Sequence, residues 1–432
     1  LIAAFTSFSS MPSTPSSSVS TDVAVIGAGI VGLAVAHHVR KRGRSVTLID
    51  RAEPASQCSM GNAGALSYHS VAPLAMPGVL KNAMTMLRDE DGPLCLPPSY
   101  LPHAAGWLWR FVRSAGESRV REIAGSLSAF FDRAEADHRQ LAEEVGYAAG
   151  LRTTGQLHLY RSDAQLAKDA LGWALKTEHG AKLKRLSGGE IQETEPDVSP
   201  DYTLGLFVEN DHSVLNPHGY ALAIARALVQ AGASFSRTEV KALRPDAQGW
   251  ALTLADDSTL FARDVVVAAG AWSTHLLAPL GVRVPLESQR GYHVHVPESG
   301  TRLSRTIVLT DRKVFITPMD TGLRIAGTVE FGGLVKEANP RRAALLARHA
   351  KEGLPSLDLL GGSSTWMGHR PCMPDSMPVL GAVARHAGLW LACGHGHLGL
   401  TGSATTGRLL AKAIHGEPAP ELDPFSMSRF AG

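Results

Sequence analysis

The chain has 432 residues, 44% hydrophobic and 19% charged, with a formal net charge of +2. That length buries a large core and suggests two or three domains or one elaborate α/β unit, while the near-neutral charge gives no reason to expect a nucleic-acid or acidic-surface partner. Cys58, Cys95, Cys372 and Cys393 form no CxxC pair, so neither a disulfide framework nor a metal site is indicated, and no apolar run is long enough to cross a bilayer.

Residues 1–20 are rich in Ser, Pro and Thr and lack the basic start and cleavage site of a signal peptide. They read as an unstructured segment, a vector or upstream-reading remnant with Met11 as the start. The clearest stretch follows. Val23, Val25 and Ile26 make a buried strand, and Gly27, Gly29 and Gly32 stand at GxGxxG spacing. Ala34, Val35 and Val39 continue a helix face, and Val46, Leu48 and Ile49 form a second strand ending at Asp50 and Arg51. In such a βαβ unit Gly27 makes the tight turn, Gly29 lets backbone approach a pyrophosphate, and Gly32 lets helix and strand pack closely. Phosphates sit at the helix N-terminus from Ile30, and Asp50 accepts from an adenosine ribose. The motif alone does not choose between NAD and FAD.

Past the second strand, the loop Cys58–Ser67 (CSMGNAGALS) offers small residues for close approach to a cofactor, with Ser59 and Asn62 as hydrogen-bonding groups. Residues 71–116 are broken by prolines and end in an amphipathic helix bearing Trp107, Leu108, Trp109 and Phe111. This cluster packs a satellite core or, alternatively, faces a membrane surface or partner. A helix is predicted from Glu117 to Gly146, and short strands with a helix over 153–186. A capped turn at Glu190–Pro196 precedes a strand at Leu204–Val208 and a helix over Tyr220–Ala231. A strand meander then leads to the buried strand Val265–Ala269 and the turn Gly270–Ser273. Residues 282–336 alternate strictly, as in an antiparallel sheet with one packed face and one face free to floor a substrate site. Trp366–Leu380 reads as a proline-rich loop, Leu389–Cys393 as a strand, and about Thr401 to Ile414 as a helix carrying small residues on a close-packing face.

The ordered pieces GAGIVGLAVAHHV, CSMGNAGALS, AAGAWS, RGYHV, GHRPCMPDSMPVLG and GHGHLGLTG together resemble the FAD-dependent D-amino-acid dehydrogenases of the glycine, sarcosine and D-amino-acid oxidase superfamily. The resemblance runs from about Asp22 to Pro418. It implies an α/β fold: a discontinuous FAD-binding domain of glutathione-reductase-like topology (21–80, 200–281 and 365–420) and an α+β substrate domain on a mixed or antiparallel sheet (81–199 and 282–364). It also decides for FAD. Carried over residue by residue, Gly27, Gly29, Ile30 and Gly32 line the ADP phosphates, and Asp50 and Arg51 meet the ribose end. Ser59, Asn62, Gly64, Ala65 and Leu66 pass the flavin, Val240 meets the adenine, and Ala269, Gly270 and Trp272 lie beside the pyrophosphate. Gly396, His397, Leu398, Gly399, Leu400 and Thr401 lie beside the pyrimidine ring. Sarcosine oxidases hold flavin through a cysteine whose place here is Gly368, so the cofactor is expected to be noncovalent.

The resemblance further implies oxidative deamination of a D-amino acid, with electrons passed to a quinone or a partner protein. Arg370 is the expected carboxylate anchor, its planar fork suited to bidentate contact. Arg290, Gly291 and Tyr292 match a pocket-lining strand. Tyr292 and His69 are candidates to orient the amine or help it lose its proton, and His395 and His397 with the helix dipole would stabilise negative charge on the reduced ring. Leu400 stands where the dehydrogenases commonly have Trp, which opens room for a small or medium D-amino acid or a secondary amine. A cytoplasmic protein, alternatively attached to the face of the inner membrane, is expected. The alternatives are a glycine- or sarcosine-type amine oxidase using O2 and a non-catalytic flavin subunit of a dehydrogenase complex.

Overall fold

The computed structural model describes residues 19–359 and 362–430. Most of the segment read as unstructured therefore lies outside the described residues. Val19 and Ser20 do not: they already run in the first strand, opposite Leu260 and Phe261.

Two large sheets organise the chain. In the first, five strands run parallel in the order Ser234–Arg237, Val46–Asp50, Val19–Ile26, Thr259–Val267 and Leu389–Cys393. An antiparallel flap of Val240–Asp246 and Gly249–Leu254 extends the start of Thr259–Val267, and Val379–Ala382 pairs with the last strand. The parallel strands are apolar on both faces because both are covered. On one side lie the helices Ile30–Lys41, Pro217–Gln230 and Gly399–Ile414, joined by Glu117–Phe131 and Ala134–Glu144, and on the other the packed meander. The helix read as continuous from Glu117 to Gly146 is thus two helices, broken at Asp132 and Arg133.

The second sheet has nine strands, ordered Ser364–Cys372, Glu287–Val296, Gly322–Phe331, Val314–Met319, Thr306–Leu309, Gln156–Tyr160, Leu204–Val208 and Leu183–Ser187, with Leu94–Cys95 beside Gly322–Phe331. Side chains alternate across it. Leu157, Leu159, Ile307, Leu309, Val314 and Ile316 pack beneath the helix Pro340–Gly353, and the opposite face is left as the floor of a cleft. The stretch read as a proline-rich loop is a strand as far as Cys372. Pro371 is tolerated because Ser364–Cys372 lies at the sheet edge, where a missing N–H interrupts no second ladder. Leu204–Val208 and Ser364–Cys372 pair into the second sheet, while Glu117–Glu144 packs on the helices of the first. No helix among the described residues is long and apolar enough to cross a membrane.

Candidate active site

A continuous cleft of about 1500 Å³ runs from the first strand-to-helix turn to the floor of the second sheet. Small-ligand pockets typically occupy about 300–1,000 Å³. This one has room for an extended cofactor and a substrate together.

At its outer end Gly27 has φ +110°, and a Cβ there would lie 2.3 Å from the carbonyl oxygen of Ala268. Only glycine makes this turn. A Cβ at Gly29 would meet nothing nearer than Ser59 Oγ at 3.5 Å and would project into ligand space. The helix from Ile30 opens on the cleft, so its first N–H groups face whatever binds there. Ser59 Oγ accepts from Ile30 N at 2.9 Å, which ties the CSMGNAGALS loop to that helix end. Asp50 accepts from Ala28 N at 2.7 Å and Ala52 N at 2.9 Å, which fixes its carboxylate while leaving further lone pairs for a hydroxyl. The Arg51 guanidinium lies 4.3 Å from the centroid of the Trp272 ring, and Val240, Ala269 and Gly270 complete this end. These residues fit an adenine dinucleotide.

Further in, Asn62, Ala65, Gly396, His397, Leu398, Gly399, Leu400 and Thr401 border the cleft. The helix Gly399–Ile414 starts here, so its N-terminal dipole also points at the ligand space. Gly32, Gly64 and Leu66 border nothing of it. Gly32 abuts the carbonyl of Gly27, Gly64 turns at φ +75° against Val214 O, and Leu66 is fully buried in the helical core. They shape the walls without touching a ligand. Leu400 is 3% exposed and packed in that core, with its carbonyl accepting from His138 at 3.0 Å.

Arg370 comes from the edge strand. Its Nη1 donates to Thr328 O at 2.9 Å, and no carboxylate lies within 4.0 Å among the described residues. It borders the cleft, and burial lowers its pKa without removing the charge of a guanidinium. Gly291, on the neighbouring strand, makes room for it: a Cβ at Gly291 would lie 2.2 Å from Arg370 Cζ. His397 is exposed to the cleft. The surrounding protein and then the Arg370 and Lys176 charges disfavour its cationic form, so its pKa falls to about 4. His395 is buried on Thr406 Oγ1 at 2.9 Å and is likewise neutral.

Three of the expected residues have partners of their own within the protein. The ring of Tyr292 borders the cleft, but its hydroxyl donates to the buried Glu330 carboxylate and accepts from Asn339 N at 3.0 Å, with its pKa raised by burial to about 12. Its proton is thereby committed to Glu330. His69 lies outside the cleft, on a small side cavity, with Asn210 at 3.2 Å and Asp211 at 3.5 Å. Arg290 is 0% exposed and turned from the cleft toward Glu330 at 3.7 Å, because strand alternation sends Gln289 and Gly291, not Arg290, to that face. Trp107 packs in a satellite core and donates to Cys372 O at 3.1 Å, while Trp109 is exposed under Arg113. Trp366, which covers Gly61 and Gly368, and the inner wall of His158, Tyr160, Trp173 and Lys176 were not singled out from sequence. The alternation of Gln156–Tyr160 and the i,i+3 spacing of Trp173 and Lys176 were the available signals.

A βαβ dinucleotide turn continuous with a cation-lined chamber defines an oxidoreductase that works with a bound dinucleotide. Residues 22–413 match the DAO family, FAD dependent oxidoreductase, and the chain belongs to it. It is 39% identical over 417 residues to a D-amino-acid oxidase of Bradyrhizobium diazoefficiens, covering 94% of this chain and 98% of the relative. It is 32% identical over 421 residues to a D-amino acid dehydrogenase of Paramagnetospirillum magneticum, covering 94% and 98%. Among solved structures, glycine oxidase from Geobacillus kaustophilus matches with a TM-score of 0.73 at 23% identity, over 95% of this chain and 99% of that one, a likeness of fold. The protein is an FAD-dependent enzyme.

Proposed function

We propose that the enzyme oxidatively deaminates a D-amino acid, giving an imino acid that water hydrolyses to a 2-oxo acid and ammonia. The observation that carries this is Arg370, a guanidinium on the cleft with no carboxylate partner among the described residues. A half-buried cation without a counter-ion is costly, and a substrate carboxylate satisfies it with two parallel hydrogen bonds. The names of the relatives support the D-series. When bound, FAD supplies the two-electron oxidation at Cα. The chain's residues orient and polarise. Gly27, Gly29, Ile30, Asp50, Arg51 and Trp272 would hold the adenosine diphosphate, and Ser59, Asn62 and the Gly396–Thr401 turn would frame the isoalloxazine. His397, whose cationic form its surroundings disfavour, donates or accepts a hydrogen bond. In the same scheme the first sheet and its helices are the FAD unit, the second sheet is the substrate unit, and the cofactor is noncovalent. A cytoplasmic location, at or away from a membrane face, and a quinone acceptor belong to this proposal. The oxidase name of the 39% identical relative favours O2 as a second reading of the acceptor.

The test is Arg370→Ala. Removing one partner of such a contact costs about 2–5 kcal/mol, so kcat/KM with an artificial acceptor should fall roughly 30-fold to several thousand-fold while FAD stays bound. Arg370→Lys should recover only part. Variants within a few-fold of the parent would discard the carboxylate role, and variants that lose their flavin would reassign Arg370 to the cofactor. Acid release of free FAD checks the noncovalent link, and parallel rates with O2 and a quinone analogue decide the acceptor.

A further inference from the structure

The cleft continues past Arg370 to an inner wall that the scheme above leaves without a task. Along Gln156–Tyr160, His158 and Tyr160 face the cleft while Leu157 and Leu159 face the core. Trp173, on the helix Ala170–Glu178, is 8% exposed, and its Nε1 donates to Tyr160 Oη at 2.8 Å. His158 packs edge-on against it at 4.8 Å. One turn on, Lys176 Nζ stands 4.3 Å from the centroid of the Trp173 ring. Lys176 is half-buried, borders the cleft, and has no carboxylate within 4.0 Å among the described residues.

The nearby acids Asp169 and Asp211 favour the Lys176 ammonium through space without touching it, and Asp211 Oδ1 is buried with no hydrogen-bond partner among the described residues. Asp169 accepts from Tyr160 Oη at 2.9 Å and lies 3.7 Å from Lys313 Nζ, and Asp211 lies 3.5 Å from His69 Nδ1. Burial lowers the pKa of Lys176, the cost of holding an ammonium there without a contact partner. Arg370, His397 and Lys176 all line the same cleft. The Trp173 face fixes the ammonium by cation–π attraction while leaving its N–H donors toward the cleft.

We propose that Lys176 on Trp173 is a second carboxylate subsite, and that the preferred substrate is an acidic D-amino acid with its α-carboxylate on Arg370 and its side-chain carboxylate on Lys176. This rests on the D-amino-acid reading and names its substrate class. A neutral substrate of equal length leaves the ammonium unpaired, and that is the source of discrimination.

The experiment titrates the FAD-loaded protein with glutarate and with valerate, unreactive acids of equal chain length bearing two carboxylates and one, read by calorimetry and by the flavin absorbance shift. Glutarate should bind about tenfold or more tightly, as one additional charge-assisted contact gives. Lys176→Met should bring the two affinities within about threefold, and Lys176→Arg should restore most of the difference. The D-glutamate over D-glutamine ratio of kcat/KM should follow the same order. Equal affinities in the parent, or a Lys176→Met change that weakens both acids alike, would overturn the subsite. Oxidation of neutral D-amino acids with no glutarate preference removes the subsite and keeps the D-amino-acid reading. A glutarate preference that collapses in Lys176→Met, with no D-amino acid bleaching the flavin, does the reverse.

Discussion

At the scale of single residues, the contact between Gly291 and Arg370 decides most. The guanidinium occupies the space where a side chain on the adjacent strand would begin. In Gly291→Ala the new methyl would meet the far end of a flexible side chain, so Arg370 swings aside and the backbone stays. The expected result is roughly 10- to 100-fold weaker carboxylate binding, the worth of a charge-assisted hydrogen bond, with flavin content and Tm close to the parent. Titration with a monocarboxylate, beside a thermal melt, checks it; a large fall in Tm with binding intact would refute it. RGYHV was visible in the sequence, but the need for a bare Cα at Gly291 was not, because the group that fills the space comes from a strand about eighty residues on. The surroundings of His69 are illegible for the same reason: its neighbour Asp211 is remote in sequence, and a local polar run does not tell which way a histidine faces.

At the scale of elements, local pattern went furthest where one segment supplied the whole signal. The strand Val19–Ile26, its glycine turn and the helix Ile30–Lys41 follow from hydrophobic period and glycine spacing. The edge strand Ser364–Cys372 did not, since proline and glycine mark loops unless the sheet position is known. The pairing of the helices Ile30–Lys41 and Gly399–Ile414 depends on Gly407, where a Cβ would lie 2.6 Å from the carbonyl oxygen of Ala34 and 2.8 Å from the His38 ring. Backbone cannot give way as a side-chain tip can. Gly407→Val should therefore push the two helices apart, cost about 1–3 kcal/mol as overpacking does, and loosen FAD because both helix starts border the cofactor cleft. Tm and bound flavin per chain measure it; a variant that keeps both would show that the helices part without disturbing their N-terminal ends.

At the scale of the whole molecule, burial of imidazoles sets an acid limit. Burial lowers the pKa of His38 to about 3, and those of His138, His293, His369 and His395 to about 4, from an ordinary 6.5. Between 6.5 and about 4 the unfolded chain binds protons that the folded chain refuses, so stability falls as pH falls through that window. Thermal melts should show Tm declining steadily below about pH 6.5 and little dependence on these groups above it. A flat Tm down to about pH 4.5 would mean that these histidines protonate as readily folded as unfolded.

The parallel sheet also has a history written into its order. Thr259–Val267 is flanked by Val19–Ile26 from the beginning of the chain and Leu389–Cys393 from near its end. As the polypeptide leaves the ribosome, the glycine turn emerges well before its opposite wall, Gly396–Thr401. Until then a hydrophobic parallel edge stays open, and contacts so distant in sequence form slowly. The nascent chain cannot enclose its flavin before Gly396–Thr401 has been made, so premature termination anywhere upstream of Leu389 yields an aggregation-prone fragment and not a partly active enzyme.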